Sequence, residues 1–253
     1  MSKRIILHLL PATIVNRIMR IKRKRDTVMN TRRSAEEVFT EIYAKNKWGG
    51  SEGEFCSGSG TSDHVAADRY VQVLAKFLAD QPGGKLRIVD LGCGDFRIGK
   101  RIAPLVDHYT GIDVVRSLVN YNRSTFGSEK VYFDCLDIIT DPLPRADLCL
   151  VRQVLQHLSN TQILSVLRKL RNYPFVIITE HYPADDPLVV PNIDKVHGAD
   201  IRVYDNSAVY LSEPPFNIPA EELQLILEIP AAGVARGGRP GWLRTYLYRP
   251  SSC

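Results

Sequence analysis

The residues best suited to chemistry follow short apolar runs. Ile88-Val89-Asp90-Leu91 leads into Gly92-Cys93-Gly94-Asp95, and Asp113 closes a run that begins at Tyr109. Asp137 follows Val131 to Leu136, Gln153 and His157 follow Asp147 to Val151, and Glu180-His181 follows Phe175 to Thr179. A turn with two glycines lets the backbone bend sharply and come close to a ligand. A helix beginning just beyond it adds free N–H groups, so the turn can cradle a nucleotide-sized molecule. Asp113 lies 19 residues after Gly94, the spacing at which a carboxylate accepts both ribose hydroxyls; capping a helix ahead of Val115 is its alternative use. His157 titrates near neutral pH and is the first candidate to take a proton from a reacting group. Glu180 and His181 are its rivals, with His197 and Asp200 behind them.

These sites need a scaffold. Ile88, Val89 and Leu91 read as a buried parallel strand bounded upstream by Gln81-Pro82-Gly83-Gly84, and Asp95 stands where an N-cap would start a helix over Arg97 to Val106. Strands are expected at Tyr109 to Val114, Val131 to Leu136, Asp147 to Val151 and Phe175 to Thr179, with helices at Ser117 to Thr125 and Thr161 to Asn172. Such alternation predicts an α/β fold with a doubly wound parallel sheet, which binds ligands at the C-terminal ends of its strands. Leu223 to Ile229 and Trp242 to Tyr248 read as two more strands, joined by the turn-rich Pro230 to Pro240. Upstream, Ser34-Ala35-Glu36-Glu37 is a capping box for a helix through about Lys45, with Val38, Phe39 and Ile42 on its apolar side. The run Ser57-Gly58-Ser59-Gly60-Thr61-Ser62 reads as a linker or, given Trp48 at its edge, as a lid. Asp63 or Ser62 then caps a helix whose apolar side includes Val65, Val71, Leu74 and Leu78.

The glycine turn is not a dinucleotide fingerprint, because Arg97 takes the third glycine position. Asp90-Leu91-Gly92-Cys93-Gly94 instead resembles the first motif of class I S-adenosylmethionine-dependent methyltransferases, with Phe96 in place of that family's third glycine. The resemblance extends over residues 64–180. It implies a seven-stranded, mostly parallel sheet ending in an antiparallel hairpin, and S-adenosylmethionine as cofactor. Asp90, Gly92, Gly94 and Gln153 would then touch the cofactor, Asp113 its ribose and Asp137 its adenine amino group, with Ile138 on the ring; Asp134 is an alternative to Asp137. Lid hydroxyls would reach the carboxylate of the methionine moiety. Leu155-Gln156-His157-Leu158 looks like the Leu-x-His-Leu outlet of many small-molecule methyltransferases. Methylating an alcohol needs in-line approach and removal of its proton, which is the task assigned to His157, Glu180 or His181.

Lys47-Trp48-Gly49 and the stretch Asn206 to Asn217 are similar to a bacterial group that modifies polysaccharides and glycolipids. That second resemblance implies O-methylation of a saccharide or lipid-linked oligosaccharide, for example a fucosyl group of a nodulation factor. Another small metabolite, a protein acceptor, or a non-catalytic cofactor-binding scaffold are the alternatives. Some sugar methyltransferases hold a divalent metal with carboxylates past the fourth and fifth strands. Gln153 speaks against a metal and Glu180 leaves room for one. No Asn/Asp-Pro-Pro-Tyr follows the fourth strand, which disfavours methylation of DNA base amino groups.

The chain has 253 residues, 44% of them hydrophobic and 24% charged, a size and balance that suit one α/β domain with an embellishment. Its five cysteines include no Cys-x-x-Cys pair, which points to reduced thiols and a cytoplasmic location. The net charge of +5 conceals +9 in residues 1–33 and −4 in the remainder. From Ala12 this arm is amphipathic, with Ile14, Val15, Ile18 and Ile21 on one side and Arg17, Arg20 and Lys24 on the other. It reads as peripheral attachment to an anionic membrane, or as a helix packed on the body with a solvated basic face. Aromatic residues are not interleaved with the bases, which disfavours nucleic acid. No apolar run approaches the ~20 residues that cross a bilayer, and His8 and Pro11 interrupt Ile5 to Leu10, which argues against a signal peptide. The chain therefore divides into the arm 1–33, a helix and lid 34–63, and a main domain 64–253, with the Pro- and Asn-rich 182–220 inserted on the acceptor side.

Overall fold

The computed structural model describes residues 21, 23, 25–51, 53–234 and 240–251. The amphipathic pattern from Ala12 to Arg20 lies outside the described residues. Helices α1 (Ala35–Ala44), the single turn α2 (Ser59–Ser62) and α3 (His64–Ala79) precede strand β1 (Arg87–Leu91). Then follow α4 (Gly99–Ile102), β2 (His108–Asp113), α5 (Arg116–Phe126), β3 (Val131–Cys135), β4 (Leu148–Arg152), α6 (Asn160–Leu170), β5 (Phe175–Tyr182), β6 (Leu223–Val234) and β7 (Pro240–Tyr248). The seven strands form one sheet in the order β3-β2-β1-β4-β5-β7-β6. Pairings among β1 to β5 are parallel, whereas β7 runs antiparallel to both β5 and β6.

Side chains of a strand point alternately to opposite faces, and both faces of the central strands are covered. Val89, Leu91, Ile112, Cys149, Val151, Val176 and Ile178 face one core, completed by Ile163, Val166 and Leu170 of α6 and by Val209, Leu211 and Phe216 of the 182–220 segment. Ile88, Leu148, Leu150 and Ile177 face the other, against Ala67, Tyr70 and Leu74 of α3 and Val119 of α5. This two-sided burial is why the strands read as continuous apolar runs in the sequence.

Three local expectations change. The helix expected over Arg97 to Val106 begins only at Gly99, because Phe96 is left-handed (φ 61°), and Pro104 turns its end into the 3-10 turn Ala103–Leu105. Asp95 therefore caps no helix. The fifth strand runs on to Tyr182, since Glu180, His181 and Tyr182 pair with Arg244, Leu243 and Trp242 of β7. Glu180 and His181 thus lie inside a strand and not beyond it. On α3, Val65 is exposed, and Ala67, Tyr70 and Leu74 form the buried face.

The capping expectations hold at both upstream helices. Glu37 N donates to Ser34 Oγ at 3.2 Å while Ser34 N donates to Glu37 Oε2 at 2.8 Å, and Asp63 Oδ1 accepts from Ala66 N at 3.1 Å at the start of α3. Helix α1 buries Ala35, Val38 and Ile42 and stands over the C-terminal edge of the sheet. Ser34→Ala removes one half of the box and is expected to lower the unfolding free energy by about 1 kcal/mol, measured by urea denaturation.

Candidate functional site

Beyond β1 the chain turns left-handed at Gly92 (φ 73°) and Gly94 (φ 55°). A Cβ on Gly92 would collide with Val154, and one on Gly94 with Ser57. Gly92 N and Cys93 N both donate to Ile112 O, at 2.8 and 2.9 Å. Gly94 N donates to Asp113 Oδ2 at 3.2 Å and Val115 N to Asp113 Oδ1 at 3.0 Å. Asp113 thus braces the glycine turn and the chain ahead of α5 together, while α5 itself, with Val115 at its N-cap, has no side-chain cap. Burial pushes its carboxyl up to about 6, against the pull of three backbone N–H groups.

The Ser/Gly segment folds over this turn as a lid. Ser57 N donates to Asp95 Oδ2 at 2.9 Å, and Asp95 N donates back to Ser57 Oγ at 2.8 Å. The Tyr43 hydroxyl is 2.8 Å from the same Oγ. Further along, Gly60 O accepts from Arg152 Nη2 at 2.7 Å. Gly60 also packs on the Gln153 side chain, where a Cβ would collide with Oε1.

Lid, glycine turn and strand ends enclose a cavity of about 360 Å³, within the range of small-molecule sites. Asp90, Gly92, Gly94, Asp113, Asp137, Ile138, Gln153, His157 and His181 all line it. Asp137 is steadied by Ile139 N, which donates to its Oδ1 at 2.8 Å, and Ile138 beside it is buried. Asp90 is also buried; Tyr109 OH donates to it, and burial pushes its carboxyl up to about 6.

Glu180 does not line the cavity. Its Oε1 accepts from Val154 N (3.2 Å) and Leu155 N (2.8 Å) and its Oε2 from Gln156 N (3.1 Å), so it ties down the turn that leaves β4. Burial pushes this carboxyl up to about 8 despite those three donors. His197 also lies off the cavity, with Nδ1 3.1 Å from Gln162 Nε2. Asp200 does not reach it either, although its neighbours Ala199 and Ile201, and Tyr204, do.

His157 faces the cavity from the 3-10 turn Leu155–His157, against the Trp48 ring at 5.1 Å between centroids. Its Nδ1 is 3.1 Å from Gly198 O. Trp48 Nε1 in turn donates to Ala199 O at 3.2 Å, which joins the lid's edge to the insertion. Burial drives the His157 imidazole from 6.5 down to about 3, with Lys195 adding to the effect and the carbonyls of Gly198 and Asp200 opposing it. His181 is pushed down to about 4 by burial, and its Nε2 is buried without a hydrogen-bond partner.

Two lining residues escaped the sequence reading. The Arg152 guanidinium lies over the Tyr70 ring at 5.2 Å, and both Arg152 Nε and Tyr70 OH are buried without a partner. The available signal was a single cation closing the apolar run Leu148-Cys149-Leu150-Val151, at the edge of a parallel sheet where ligands bind. Among the described residues, no group of three or more His, Cys, Asp or Glu is placed to hold a metal ion.

The His157 shift has a stability consequence. Between pH 6.5 and about 3 the folded ring binds fewer protons than the unfolded one. Its contribution is therefore full above pH 6.5 and is lost as the pH falls through that window. From pH 7 to pH 5 the parent is expected to lose about 2 kcal/mol more stability than His157→Asn, measured by urea unfolding at both values.

No family model matches the chain, and no curated protein matches its sequence. Solved structures do share its fold. The N-methyltransferase NodS from Bradyrhizobium japonicum WM9, bound to S-adenosyl-L-homocysteine, superposes with a TM-score of 0.51 at 16% identity, over 73% of this chain and 88% of that one. The DhpI complex with S-adenosylhomocysteine gives 0.52 at 12% identity, and the [4+2]-cyclase SpnF 0.55 at 16%, each over 85% of this chain and 94% of the other. At such identities the likeness is one of architecture: the seven-stranded sheet with its closing antiparallel hairpin is the class I methyltransferase fold.

Proposed function

We propose that the protein is an S-adenosylmethionine-dependent methyltransferase that methylates a hydroxyl of a saccharide. The observation that carries this reading is the cavity at the C-terminal edge of the parallel strands, which gathers the glycine turn, Asp113 and the Asp137-Ile138 pair. The donor set also fits the cofactor. Arg152 Nε and Tyr70 OH, both unpartnered, and the buried carboxylate of Asp90 line the cavity. A cation and an anion on one wall match the carboxylate and ammonium of an amino acid. The carboxylate of Asp113 has room for about four donors and meets three backbone N–H groups, those of Val115, Gly94 and Val114, so a ribose hydroxyl can take the remaining place. Ile138 offers apolar surface to a base, with Asp137 beside it for an exocyclic amine.

When bound, S-adenosylmethionine supplies an electrophilic methyl carbon. The chain's own residues do the rest. Arg152 and Tyr70 hold the carboxylate, Asp90 the ammonium and Asp113 the ribose, while the lid of residues 57–62 covers the glycine turn and limits water. The acceptor enters beside the insertion, where Trp48 and Tyr204 line the cavity. Aromatic rings with a polar edge suit the C–H face and hydroxyl rim of a sugar, and this supports a saccharide over other acceptors. The proton acceptor must keep a lone pair that no other hydrogen bond takes. Glu180 is spent on backbone amides and His157 Nδ1 faces a carbonyl, whereas His181 lines the cavity and its buried Nε2, packed beside Gly241, has no hydrogen-bond partner. His181 therefore takes the acceptor's proton, and His157 positions the insertion. The competing reading is a cofactor-binding protein without methyl transfer, since the [4+2]-cyclase SpnF shares the fold.

Calorimetry with S-adenosylhomocysteine tests the cofactor site. Asp113→Ala is expected to lose charged hydrogen bonds worth about 1.5–3 kcal/mol, roughly ten- to a hundredfold in affinity. Arg152→Met should weaken S-adenosylhomocysteine and spare 5′-methylthioadenosine, which lacks the amino-acid part. A parent that binds neither ligand refutes the reading. Methyl transfer itself is tested by the mass shift of saccharide acceptors incubated with the labelled cofactor. With the acceptor that responds, His181→Ala should lower turnover by about 10²–10⁴-fold at the parent's melting temperature. The acidic limb of kcat/KM should lie near 4, because a protonated ring cannot accept a proton and the free enzyme's His181 is held at about that value.

A further inference from the structure

The first helical segment among the described residues is packed with its polar side inward. Residues 21, 23 and 25–30 are helical. Ile21 is 61% exposed, Val28 73% and Met29 57%, and at 3.6 residues per turn they share one face with the exposed Arg25. The opposite face holds the segment in place. Arg23 Nη1 reaches Asp205 Oδ1 at 3.4 Å and its guanidinium lies over the Tyr204 ring at 5.5 Å. Asn30 Nδ2 donates to His197 O at 3.0 Å. A helix packed on a globular body normally turns its apolar stripe to the core; here ion pair, ring and amide do the packing while the apolar side chains face out.

Charge identifies what that face meets. Residues 21–33 hold six Lys or Arg and one acid, Asp26, and Arg25 and Arg32 are exposed. Apolar side chains flanked by bases match the boundary between acyl chains and anionic headgroups. Nucleic acid would not use the apolar face. The insertion that Arg23 and Asn30 grip exposes Leu188 and Val190 as well, and its Ala199, Ile201 and Tyr204 line the cavity. We propose that the outward face of residues 21–33 docks on an anionic lipid surface and brings the acceptor side of the cavity against the membrane. The proposal does not rest on methyl transfer.

The test is sedimentation of the full chain with vesicles of equal parts phosphatidylcholine and phosphatidylglycerol, and with phosphatidylcholine alone. The parent is expected to sediment with the anionic vesicles only, and less at high salt. Val28→Asp with Met29→Asp should weaken partitioning about tenfold or more. Arg25→Glu with Arg32→Glu should weaken it about fivefold for each base removed. Both pairs are exposed and outside the cavity, so melting temperature and S-adenosylhomocysteine affinity should match the parent's. A parent that stays in the supernatant overturns the proposal, as does a Val28/Met29 variant that sediments like the parent. Light scattering that finds a dimer dissolved by the same variant overturns it too, by assigning the face to a second copy of this chain. Vesicle binding by a parent that ignores S-adenosylhomocysteine would retire the cofactor reading and leave this one standing.

Discussion

Two amides on one carbonyl set the geometry of the site. Gly92 N and Cys93 N both donate to Ile112 O, and this pair of hydrogen bonds ties the exit of β1 to the end of β2. The chain can meet that constraint only by turning left-handed at Gly92 and Gly94, a conformation glycine adopts at little cost. Everything nearby follows. The helix is delayed to Gly99, which frees Asp95 from capping and leaves it to hold Ser57 of the lid. Gly94 N is directed at Asp113, and Gly94 O at Asn122 Nδ2, 2.8 Å away. One turn therefore places the floor, one wall and the cover of the cavity together.

Buried charge in this protein is stabilised mainly by backbone. Glu180 takes three amides of the turn after β4, and Asp113 takes those of Gly94 and Val115. The fully buried Arg202 donates Nη2 to Leu158 O at 2.7 Å and pins the insertion next to His157. Removing the charged partner from any such arrangement strands buried donors or acceptors, each at about 1–3 kcal/mol, so these groups are structural first. Arg152 differs, because it lines the cavity and its buried Nε has no hydrogen-bond partner.

The same burial governs proton chemistry. His157 and His181 are held neutral far below neutral pH, whereas Asp90, Asp113 and Glu180 are pushed upward. A neutral imidazole is ready to accept a proton across the physiological range, at the expense of basicity. What separates the two histidines is hydrogen bonding: one ring is engaged with the insertion's carbonyls, and the other keeps a buried nitrogen without a partner.

The strands β1 to β4, their parallel direction and the Asp113 carboxylate that ends β2 were legible in the sequence. A strand covered on both faces must be apolar throughout, and the polar residue ending it marks the edge where ligands bind. The capping box at Ser34 and the cap at Asp63 were legible because each is satisfied within four residues. The extent of β5 was not, because His181 and Tyr182 become strand only by pairing with Leu243 and Trp242 some 60 residues away. Nor was the standing of Arg152, whose burial depends on the lid crossing it through Gly60, or the low proton affinity of His157, which Trp48 and the insertion impose from opposite ends of the chain. Residue type and spacing determine the fold and the sites offered to a ligand. Which groups stay unpaired, and how tightly each holds its proton, depends on contacts between segments remote in sequence, and only the tertiary structure decides those.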